Sequence, residues 1–344
     1  MSTYSFLDDY SEGCHPRILE ALANSNMDQQ TAYGEDEYSR KARELIQAQL
    51  GNQNAEIFFV AGGTLANIII MASCLRSHEA VIASNIGHIN VHETGAIEAT
   101  GHKIIVMPST EGKLTPADVQ SALDNNAHFP HMAKPRLVYI TNASEVGTLY
   151  SKAELTALST ICKANNLLLM VDGARLGAAL SAQKNDLTLG DIAELTDIFW
   201  IGGTKAGAML GEAIVISNPV LADDFSFHIK QRGALLAKGR LLGLQFLELF
   251  KDGLYFEATS YANKMAGKLS TAITENGHTL AAETQTNQIF PILPNGLIDR
   301  LKESFSFYVW EKLDDERSTI RLVTSWATEE KQVDAFIRVV EEFS

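Results

Sequence analysis

The possible fold of this chain is constrained most by one feature of its sequence. Short apolar segments alternate with segments whose apolar residues have the spacing of a helix. The apolar segments are rich in β-branched and aromatic residues and read as buried strands, and the segments between them repeat apolar residues every three or four positions. Several strands are apolar throughout, as expected when helices cover both faces of a mostly parallel sheet. The sequence therefore predicts an α/β fold. The predicted strands are AEIFFV, EAVIAS, HKIIVMP, RLVYIT, NLLLMVD, DIFWIG and GEAIVIS.

The pattern changes after Phe227. A long helical segment over residues 233–277 leads into the strand-like segments QIFPIL, FSFYVW and TIRLVTSW and then into a last helix. The chain has 344 residues, which exceeds the ~250–300 residues at which a single core stops growing. We therefore predict a large domain over residues 1–235 and a smaller C-terminal α+β domain over residues 236–344.

Composition excludes several classes of partner. A formal net charge of −14 argues against nucleic-acid binding, which needs clustered Lys and Arg. No segment approaches the ~20 apolar residues of a membrane span, so we expect no membrane partner. The cysteines Cys14, Cys74 and Cys162 lack CxxC spacing, and the N-terminal segment is acidic where a signal peptide is basic. We therefore expect a cytoplasmic protein that binds a small molecule.

Two ionisable residues follow neighbouring predicted strands. Asp172 ends the strand NLLLMVD, and Lys205 follows the next strand in a Gly-Gly-Thr-Lys-Ala-Gly turn. Ligands of open parallel sheets bind beyond the carboxyl ends of the strands, so we expect both side chains at one site. A lone turn lysine is more often solvated, and Asp172 could instead cap a helix or pair with Arg175.

Further ligand-binding elements follow other strands. Gly62, Gly63 and Thr64 lie between a strand and a helix, where free N–H groups can bind phosphate, although the Walker lysine and the full GxGxxG spacing are absent. His88 also follows a strand and could stack on a planar ligand or exchange protons. His88 and His92 have the spacing of a metal pair, but no third ligand lies nearby. We therefore predict no metal site.

These residues together fit pyridoxal 5'-phosphate. Lys205 would form a Schiff base with its aldehyde, and Asp172 would keep the pyridine nitrogen protonated. The Gly63 amide and the Thr64 hydroxyl would bind the phosphate, and His88 would cover the ring face. A tight turn without a ligand is the plainer interpretation of Gly63 and Thr64.

The motifs that carry these residues also identify a family resemblance. The chain resembles the low-specificity L-threonine aldolases of the fold-type I class of pyridoxal-phosphate enzymes, whose large domain has a mostly parallel sheet. The matching segments span most of the chain in family order. They are YGEDEY at 33–38, GGTLAN at 62–67, HINVHETGAIE at 88–98, VDGARL at 171–176, GGTKAGA at 202–208 and RLVTSWAT at 321–328.

The resemblance implies further roles. Arg321 would bind the α-carboxylate of an amino-acid substrate, with Arg175 on that carboxylate or on the phenolic oxygen of the cofactor, and Tyr33 would also contact the substrate. The family forms homo-oligomers built as dimers of dimers, with the active site shared between subunits. A basic residue of the neighbouring subunit reaches the phosphate, which would be Lys238 or Arg240 here.

The chain also departs from the family pattern. The usual Glu-Asn-x-His is TNASE at 141–145, so its histidine is missing. Asp8-Asp9 stands where the family has Ser-Asp, which removes one expected contact to a carboxylate. The group that removes the substrate hydroxyl proton could therefore be His88, His92 or a bound water. Glu93 could bridge the site or cap a helix.

The resemblance implies retro-aldol cleavage of a β-hydroxy-α-amino acid, threonine or allo-threonine, to glycine and acetaldehyde. A pyridoxal-phosphate lyase that eliminates a β-substituent would use the same cofactor residues and remains an alternative. A binding protein without catalysis is a third interpretation, disfavoured because Lys205, Asp172 and the phosphate turn are all present.

Overall fold

The computed structural model describes residues 3–51 and 54–343. The β-strands are β1 Tyr4–Ser5, β2 Glu56–Val60, β3 Glu79–Ser84, β4 Lys103–Met107, β5 Lys134–Thr141, β6 Leu168–Asp172, β7 Ile198–Gly202, β8 Glu212–Ile216, β9 Thr279–Leu280, β10 Gln288–Ile289, β11 Pro291–Pro294, β12 Phe305–Ser306, β13 Tyr308–Lys312 and β14 Arg317–Val323.

The helices alternate with these strands in the first two thirds of the chain. The α-helices are α1 Pro16–Asn24, α2 Glu37–Leu50, α3 Gly63–Cys74, α4 His88–Val91, α5 Pro116–Asn125, α6 Lys152–Ala164, α7 Leu176–Leu180, α8 Leu189–Leu195, α9 Phe225–Gln231, α10 Arg240–Phe250, α11 Leu254–Glu275, α12 Asn295–Lys302 and α13 Glu330–Phe343. Short 3₁₀ helices span Glu98–Thr100, Thr204–Ala206, Pro219–Leu221 and Lys251–Gly253.

The seven apolar segments predicted as strands before Phe227 form one seven-stranded sheet. Its order is β2-β8-β7-β6-β5-β3-β4, and only β8 runs antiparallel to its neighbours. Strands β3, β6, β7 and β8 are buried at every residue, because helices cover both faces of the sheet. The predicted α/β fold with a mostly parallel sheet is confirmed.

The two faces of the sheet belong to separate hydrophobic clusters. In β6, Leu169 and Val171 pack in a cluster with residues of α2, α5, α6, α8 and α10, whereas Leu168 and Met170 pack with residues of α3 and α9. Successive side chains of a strand point to opposite faces. This two-sided burial explains why the strand segments read as apolar throughout.

Helix α5 illustrates how local sequence sets the element boundaries. The Thr115 side chain accepts a hydrogen bond from the Asp118 N–H, and the Asp118 carboxylate accepts one from the Thr115 N–H. Ser151 and Glu154 form the same capping box at α6. Capping satisfies N–H groups that have no partner within a helix.

The C-terminal part of the chain contains a second, antiparallel sheet. Its order is β10-β14-β11-β9, and β13 also pairs with β14. Residues of this sheet form one hydrophobic cluster with residues of α11, α12 and α13. The cluster also includes Phe6 of the N-terminal arm, by which we mean residues 3–15, before α1. Strand β1 pairs with β12. The arm is thereby held against the C-terminal sheet before the chain continues to Asp9.

The predicted helical segment over residues 233–277 contains a break. Asp252 and Gly253 have positive φ angles of 57° and 76°, so the segment divides into α10 and α11. Helix α10 packs against α1 and α2. The domain division after residue 235 stays a prediction. None of the helices in the described ranges is long and apolar enough to cross a membrane.

A close backbone contact joins the ends of β6 and β7. The Gly202 N–H donates to the Gly173 carbonyl oxygen at 2.9 Å, and a Cβ added at Gly173 would lie 1.8 Å from the Trp200 carbonyl oxygen. No rotamer can relieve a clash with backbone. Glycine at 173 therefore lets the loop after Asp172 approach the strand that leads to Lys205.

Replacing Gly173 with alanine should destabilise the protein by about 3 kcal/mol, since the added methyl group must displace packed backbone. Urea unfolding followed by circular dichroism measures the effect. Gly267→Ala is the matched control: it lies in α11 with nothing within 4 Å of an added Cβ, and alanine favours helix over glycine. Equal unfolding midpoints for Gly173→Ala and wild type would show that the clash is absent.

Candidate active site

A cavity of about 360 Å³ lies at the edge of the large sheet where β5, β6 and β7 end. Its lining contains most of the site residues predicted from the sequence, because the carboxyl ends of adjacent parallel strands meet at one edge. The nominated residues in its lining are Gly63, Thr64, His88, Asp172, Arg175 and Lys205.

Lys205 lies in the 3₁₀ turn between β7 and β8. Its ammonium has no hydrogen bond or ion pair with any residue in 3–51 or 54–343. Burial, and after it the charge of Arg175, lower the pKa of Lys205 below its usual value. The carboxylates of Asp9, Asp172 and Glu212 oppose this shift without cancelling it. Lys205 therefore loses its proton more readily than an exposed lysine, as a nucleophilic amine requires.

Asp172 is buried at the end of β6 and accepts hydrogen bonds from several donors. Its Oδ2 accepts from the Tyr139 hydroxyl at 2.6 Å and from Asn67 Nδ2 at 3.1 Å, and its Oδ1 accepts from the Ala174 N–H at 3.0 Å. Together these hydrogen bonds fix the orientation of the Asp172 side chain. Pairing with Arg175, one of the alternatives from sequence, is not observed.

His88 begins α4, and its ring is tied to a buried carboxylate. Nδ1 lies 2.8 Å from Glu93 Oε1, which also accepts from Asn67 Nδ2 at 2.8 Å. The Glu93 side chain is fully buried, and its Oε2 has no partner within the described residues. Glu93 therefore bridges His88 to the Asn67–Asp172 pair. A carboxylate at Nδ1 favours the tautomer in which Nε2 is unprotonated.

The turn at Gly62 leads directly into α3. Gly62 is the N-cap and Gly63 is the first helical residue. A Cβ at Gly63 would lie 2.7 Å from Trp200 Cη2, so only glycine fits here without moving the indole. The Thr64 side chain has no hydrogen bond within the described residues. The first N–H groups of a helix have no intrahelical acceptor, so this turn presents an anion site at the cavity wall.

Arg175 forms a two-point contact with the N-terminal arm. Its Nε and Nη2 donate to the Asp9 carboxylate at 2.7 and 3.1 Å, and Asn287 Nδ2 donates to the same group at 2.9 Å. Burial alone would raise the pKa of Asp9, but the charges of Arg175 and Lys205 and these hydrogen bonds together lower it. Asp9, the second residue of the Asp8-Asp9 pair, thus places a carboxylate on Arg175.

Several residues predicted from the sequence do not line the cavity of this chain. Arg321 donates from Nε and Nη2 to Gln288 Oε1 at 3.1 and 2.8 Å. Tyr33 is half exposed and lines a separate cavity, and Lys238 lies on the exposed loop before α10. Arg240, the alternative to Lys238, donates to backbone carbonyl oxygens of residues 25 and 28. The substrate and phosphate roles of these residues stay predictions.

Glu145 is a cavity residue to which sequence reasoning gave no role. It belongs to the segment in which the family histidine is missing, and its oxygens accept from the His88 N–H at 2.8 Å and the Thr141 hydroxyl at 2.9 Å. Burial raises the pKa of Glu145, and the charge of Asp172 adds to this effect. The only signal in the sequence was a carboxylate beside the missing histidine.

Other polar residues of the site also escaped sequence reasoning. Asn67 and Tyr139 were visible only as polar positions in the apolar segments TLANIII and RLVYIT, and Glu212 only as the second residue of the predicted strand GEAIVIS. His92, the remaining candidate base, does not line the cavity, and its ring centroid lies 5.6 Å from that of His88. No three His, Cys, Asp or Glu side chains in residues 3–51 and 54–343 are grouped as metal ligands.

The chain is similar to several known proteins. A family model described as Beta-eliminating lyase matches residues 6–294. A low specificity L-threonine aldolase of Pseudomonas sp. (strain NCIMB 10558) is 34% identical over 338 residues, 95% of this chain and 93% of that protein. The structure of Leishmania major threonine aldolase is 50% identical, with a TM-score of 0.97 over 99% of both chains.

A more distant structure shares the fold. Aspartate aminotransferase of Thermus thermophilus superposes with a TM-score of 0.72 over 99% of this chain and 92% of its own, at 14% identity. This similarity concerns the fold alone. It places the large sheet and the C-terminal sheet of the chain in an architecture that aminotransferases share.

Proposed function

The chain belongs to the beta-eliminating lyase family, and we propose that it is a pyridoxal-phosphate-dependent lyase that cleaves threonine or allo-threonine to glycine and acetaldehyde. The names of its relatives support this substrate class. The observation that carries the proposal is the convergence of Lys205, Asp172 and the Gly63–Thr64 turn in one cavity. An amine, a carboxylate and an anion site are the groups that this cofactor requires.

The residues of the cavity fit the cofactor in size and polarity. Its volume of about 360 Å³ lies in the range of small-ligand pockets. The turn at Gly63 has no room for a side chain. Within the described residues, Lys205 Nζ lies over the Tyr10 ring at 5.8 Å but has no hydrogen-bond or ion-pair partner, and Glu93 Oε2 is buried without a hydrogen-bond partner. Polar groups left in this state indicate a site built around a ligand.

Each residue then has a defined part in holding the cofactor. Lys205 would bind its aldehyde, Asp172 its pyridine nitrogen, and the Gly63–Thr64 turn its phosphate, while His88 would cover the ring. When bound, the cofactor accepts the electron pair released at the substrate α-carbon. Asp172, oriented by its hydrogen bonds, would present its side chain to the ring nitrogen. The His88 ring, fixed by Glu93, would exclude water from the ring face.

The substrate carboxylate requires a cationic partner. We propose Arg321 for this role together with Arg175, since arginine presents a planar fork that matches a carboxylate. Asp9 occupies Nε and Nη2 of Arg175 and Gln288 occupies the same two nitrogens of Arg321. Within the described residues, the Nη1 group of each arginine makes no hydrogen bond or ion pair, and we propose that it binds the substrate carboxylate.

Cleavage also requires removal of the β-hydroxyl proton. Among the candidates, His88 and Glu145 line the cavity and His92 does not. Because Glu93 binds Nδ1 of His88, Nε2 is the ring nitrogen of His88 that could accept a proton. A proton acceptor must come within hydrogen-bond distance of the hydroxyl, so we propose that the acceptor is His88, Glu145 or a water held between them.

We also propose that the protein assembles as a dimer of dimers in the cytoplasm. Tyr33 and Lys238 lie outside the cavity of their own chain, so a neighbouring subunit is the natural source of these residues. The cysteines Cys14, Cys74 and Cys162 are all free, as is usual in a reducing compartment.

The function is tested with the purified protein and added pyridoxal phosphate. We expect acetaldehyde and glycine in equal amounts from L-threonine or L-allo-threonine, measured by coupled reduction of the aldehyde and by amino-acid analysis. Pyruvate release from L-serine is measured in parallel. Pyruvate without aldehyde would identify a β-eliminating lyase, and binding of the cofactor without either product would contradict both reactions.

A further inference from the structure

A buried carboxyl group beside Lys205 has no part in the proposed function. Glu212 is the first residue of β8, where it pairs with Gly202 of β7 on one side and with Val60 of β2 on the other. It is 5% exposed and lines the same cavity as Lys205. A buried carboxyl group is costly to keep unless its interactions compensate for the loss of water.

Both oxygens of Glu212 bind the loop that carries Lys205. Oε2 accepts from the Gly203 N–H and Oε1 accepts from the Thr204 hydroxyl, each at 2.9 Å. The Thr204 oxygen in turn accepts from the Gly211 N–H at 3.1 Å. The two residues immediately before Lys205 are thereby fixed to the sheet by one side chain.

A second buried side chain holds the other end of this loop. Gln245 of α10 is fully buried, and its Oε1 accepts from the Met209 N–H at 2.7 Å. Gln245 is neutral, so it fixes the loop without adding charge. Glu212 performs the same anchoring with a group that can ionise, and this difference requires a reason.

The charge of Glu212 acts on Lys205. Burial raises the pKa of Glu212, and the hydrogen bonds of Thr204 and Gly203 and the charge of Lys205 oppose that shift. In the reverse direction, an ionised Glu212 favours the charged form of Lys205. The other titratable groups that face one or both residues are Asp9, Asp172, Arg175, Tyr255 and Tyr10, whose ring centroid lies 5.8 Å from Lys205 Nζ.

We propose that Glu212 is a positioning residue for Lys205: it holds the loop before the lysine and, as a carboxylate that lines the same cavity, sets the pH at which the amine becomes uncharged. The inference rests on the proposed role of Lys205 in binding the cofactor. With too weak a counter-charge the amine would be neutral at all relevant pH values, and with too strong a counter-charge it would stay protonated and unreactive. A residue that only anchors the loop would leave the titration of Lys205 unchanged.

The titration of Lys205 is measured by competitive labelling of the full chain after removal of bound cofactor. Acetic anhydride modifies uncharged amines, and peptide mass spectrometry compares the acetylation of Lys205 with that of the exposed Lys312 across a pH series. We expect Glu212→Gln to lower the midpoint for Lys205 by about one pH unit, because a nearby opposite charge that favoured the ammonium has been removed.

The matched control is Glu56→Gln. Glu56 lies at the other end of the β2–β8 pair, is exposed, and is remote from the cavity. Its replacement should leave the Lys205 midpoint at the wild-type value. A Glu212→Gln midpoint equal to those of Glu56→Gln and wild type would overturn the proposal.

A second pair of variants keeps the test decisive if Glu212→Gln does not fold. Thr204→Val removes one hydrogen bond that stabilises the Glu212 carboxylate, so fewer molecules carry the negative charge and the Lys205 midpoint should fall, by less than in Glu212→Gln. Thr204→Ser retains the hydroxyl and should titrate as wild type does. Equal midpoints for Thr204→Val and Thr204→Ser would contradict the proposal. Labelling needs neither cofactor nor substrate, so failure of the proposed lyase activity would be seen separately.

Discussion

Replacing Lys205 with alanine is expected to abolish covalent attachment of pyridoxal phosphate and to lower kcat by about 10³-fold or more, as expected for loss of a nucleophilic amine. The other residues proposed to hold the cofactor, Asp172 and the Gly63–Thr64 turn, remain in this variant. We therefore expect it to bind the cofactor without a covalent bond, so the defect should appear in attachment rather than in folding.

Three measurements on one sample test this expectation. The visible spectrum reports attachment, borohydride reduction followed by peptide mapping locates the modified lysine, and aldehyde release reports activity. Lys184→Ala is a suitable control, because Lys184 is exposed and pairs with Glu283 away from the cavity. Cofactor found on any other lysine of the wild-type protein would falsify the assignment of Lys205.

The second large effect is expected at Asp172. Asparagine in its place can still accept a hydrogen bond but carries no charge to hold a proton on the ring nitrogen. Removing one group of this electrostatic kind typically costs ~10²–10³-fold in kcat. We expect a loss of about that size, with covalent attachment at Lys205 retained.

Tyr139→Phe provides a graded comparison for Asp172→Asn. It removes one of the donors to the carboxylate, the hydroxyl at 2.6 Å, but leaves the charge in place. A typical hydrogen bond contributes about 1 kcal/mol, so we expect a decrease of about tenfold or less. Comparing kcat of the two variants by steady-state kinetics separates the effect of the Asp172 charge from the effect of its orientation. If Asp172→Asn kept kcat within tenfold of wild type, the pyridine-nitrogen role would be ruled out.

Many residues of the candidate active site could be predicted because the ends of strands can be recognised in the sequence. Asp172 ends an apolar segment and Lys205 follows the next one, and adjacent parallel strands bring their carboxyl ends to one edge. The turn at Gly63 and the histidine at 88 follow strands of the same sheet. Proximity in this group follows from topology, so the pattern of apolar segments was sufficient to predict it.

The partners of these residues could not be predicted in the same way. Asn67 of α3 bonds to Asp172, and Asp9 of the N-terminal arm bonds to Arg175. In each pair the residues are more than a hundred positions apart. Nothing in the local sequence distinguishes such a polar residue from one that contacts solvent.

The sequence by itself determined the layered architecture, the order of the strands along the chain and the residue types that could perform chemistry, because hydrophobic period and strand ends are local properties. Only the tertiary structure decided which alternatives hold for individual side chains. It placed Arg175 on Asp9 rather than on Asp172, made Glu93 a bridge from His88 to Asn67, and put Glu212 beside Lys205. The physical reason is burial: a charge removed from water is stabilised by whichever donors the packed fold brings to it, and packing depends on the whole chain.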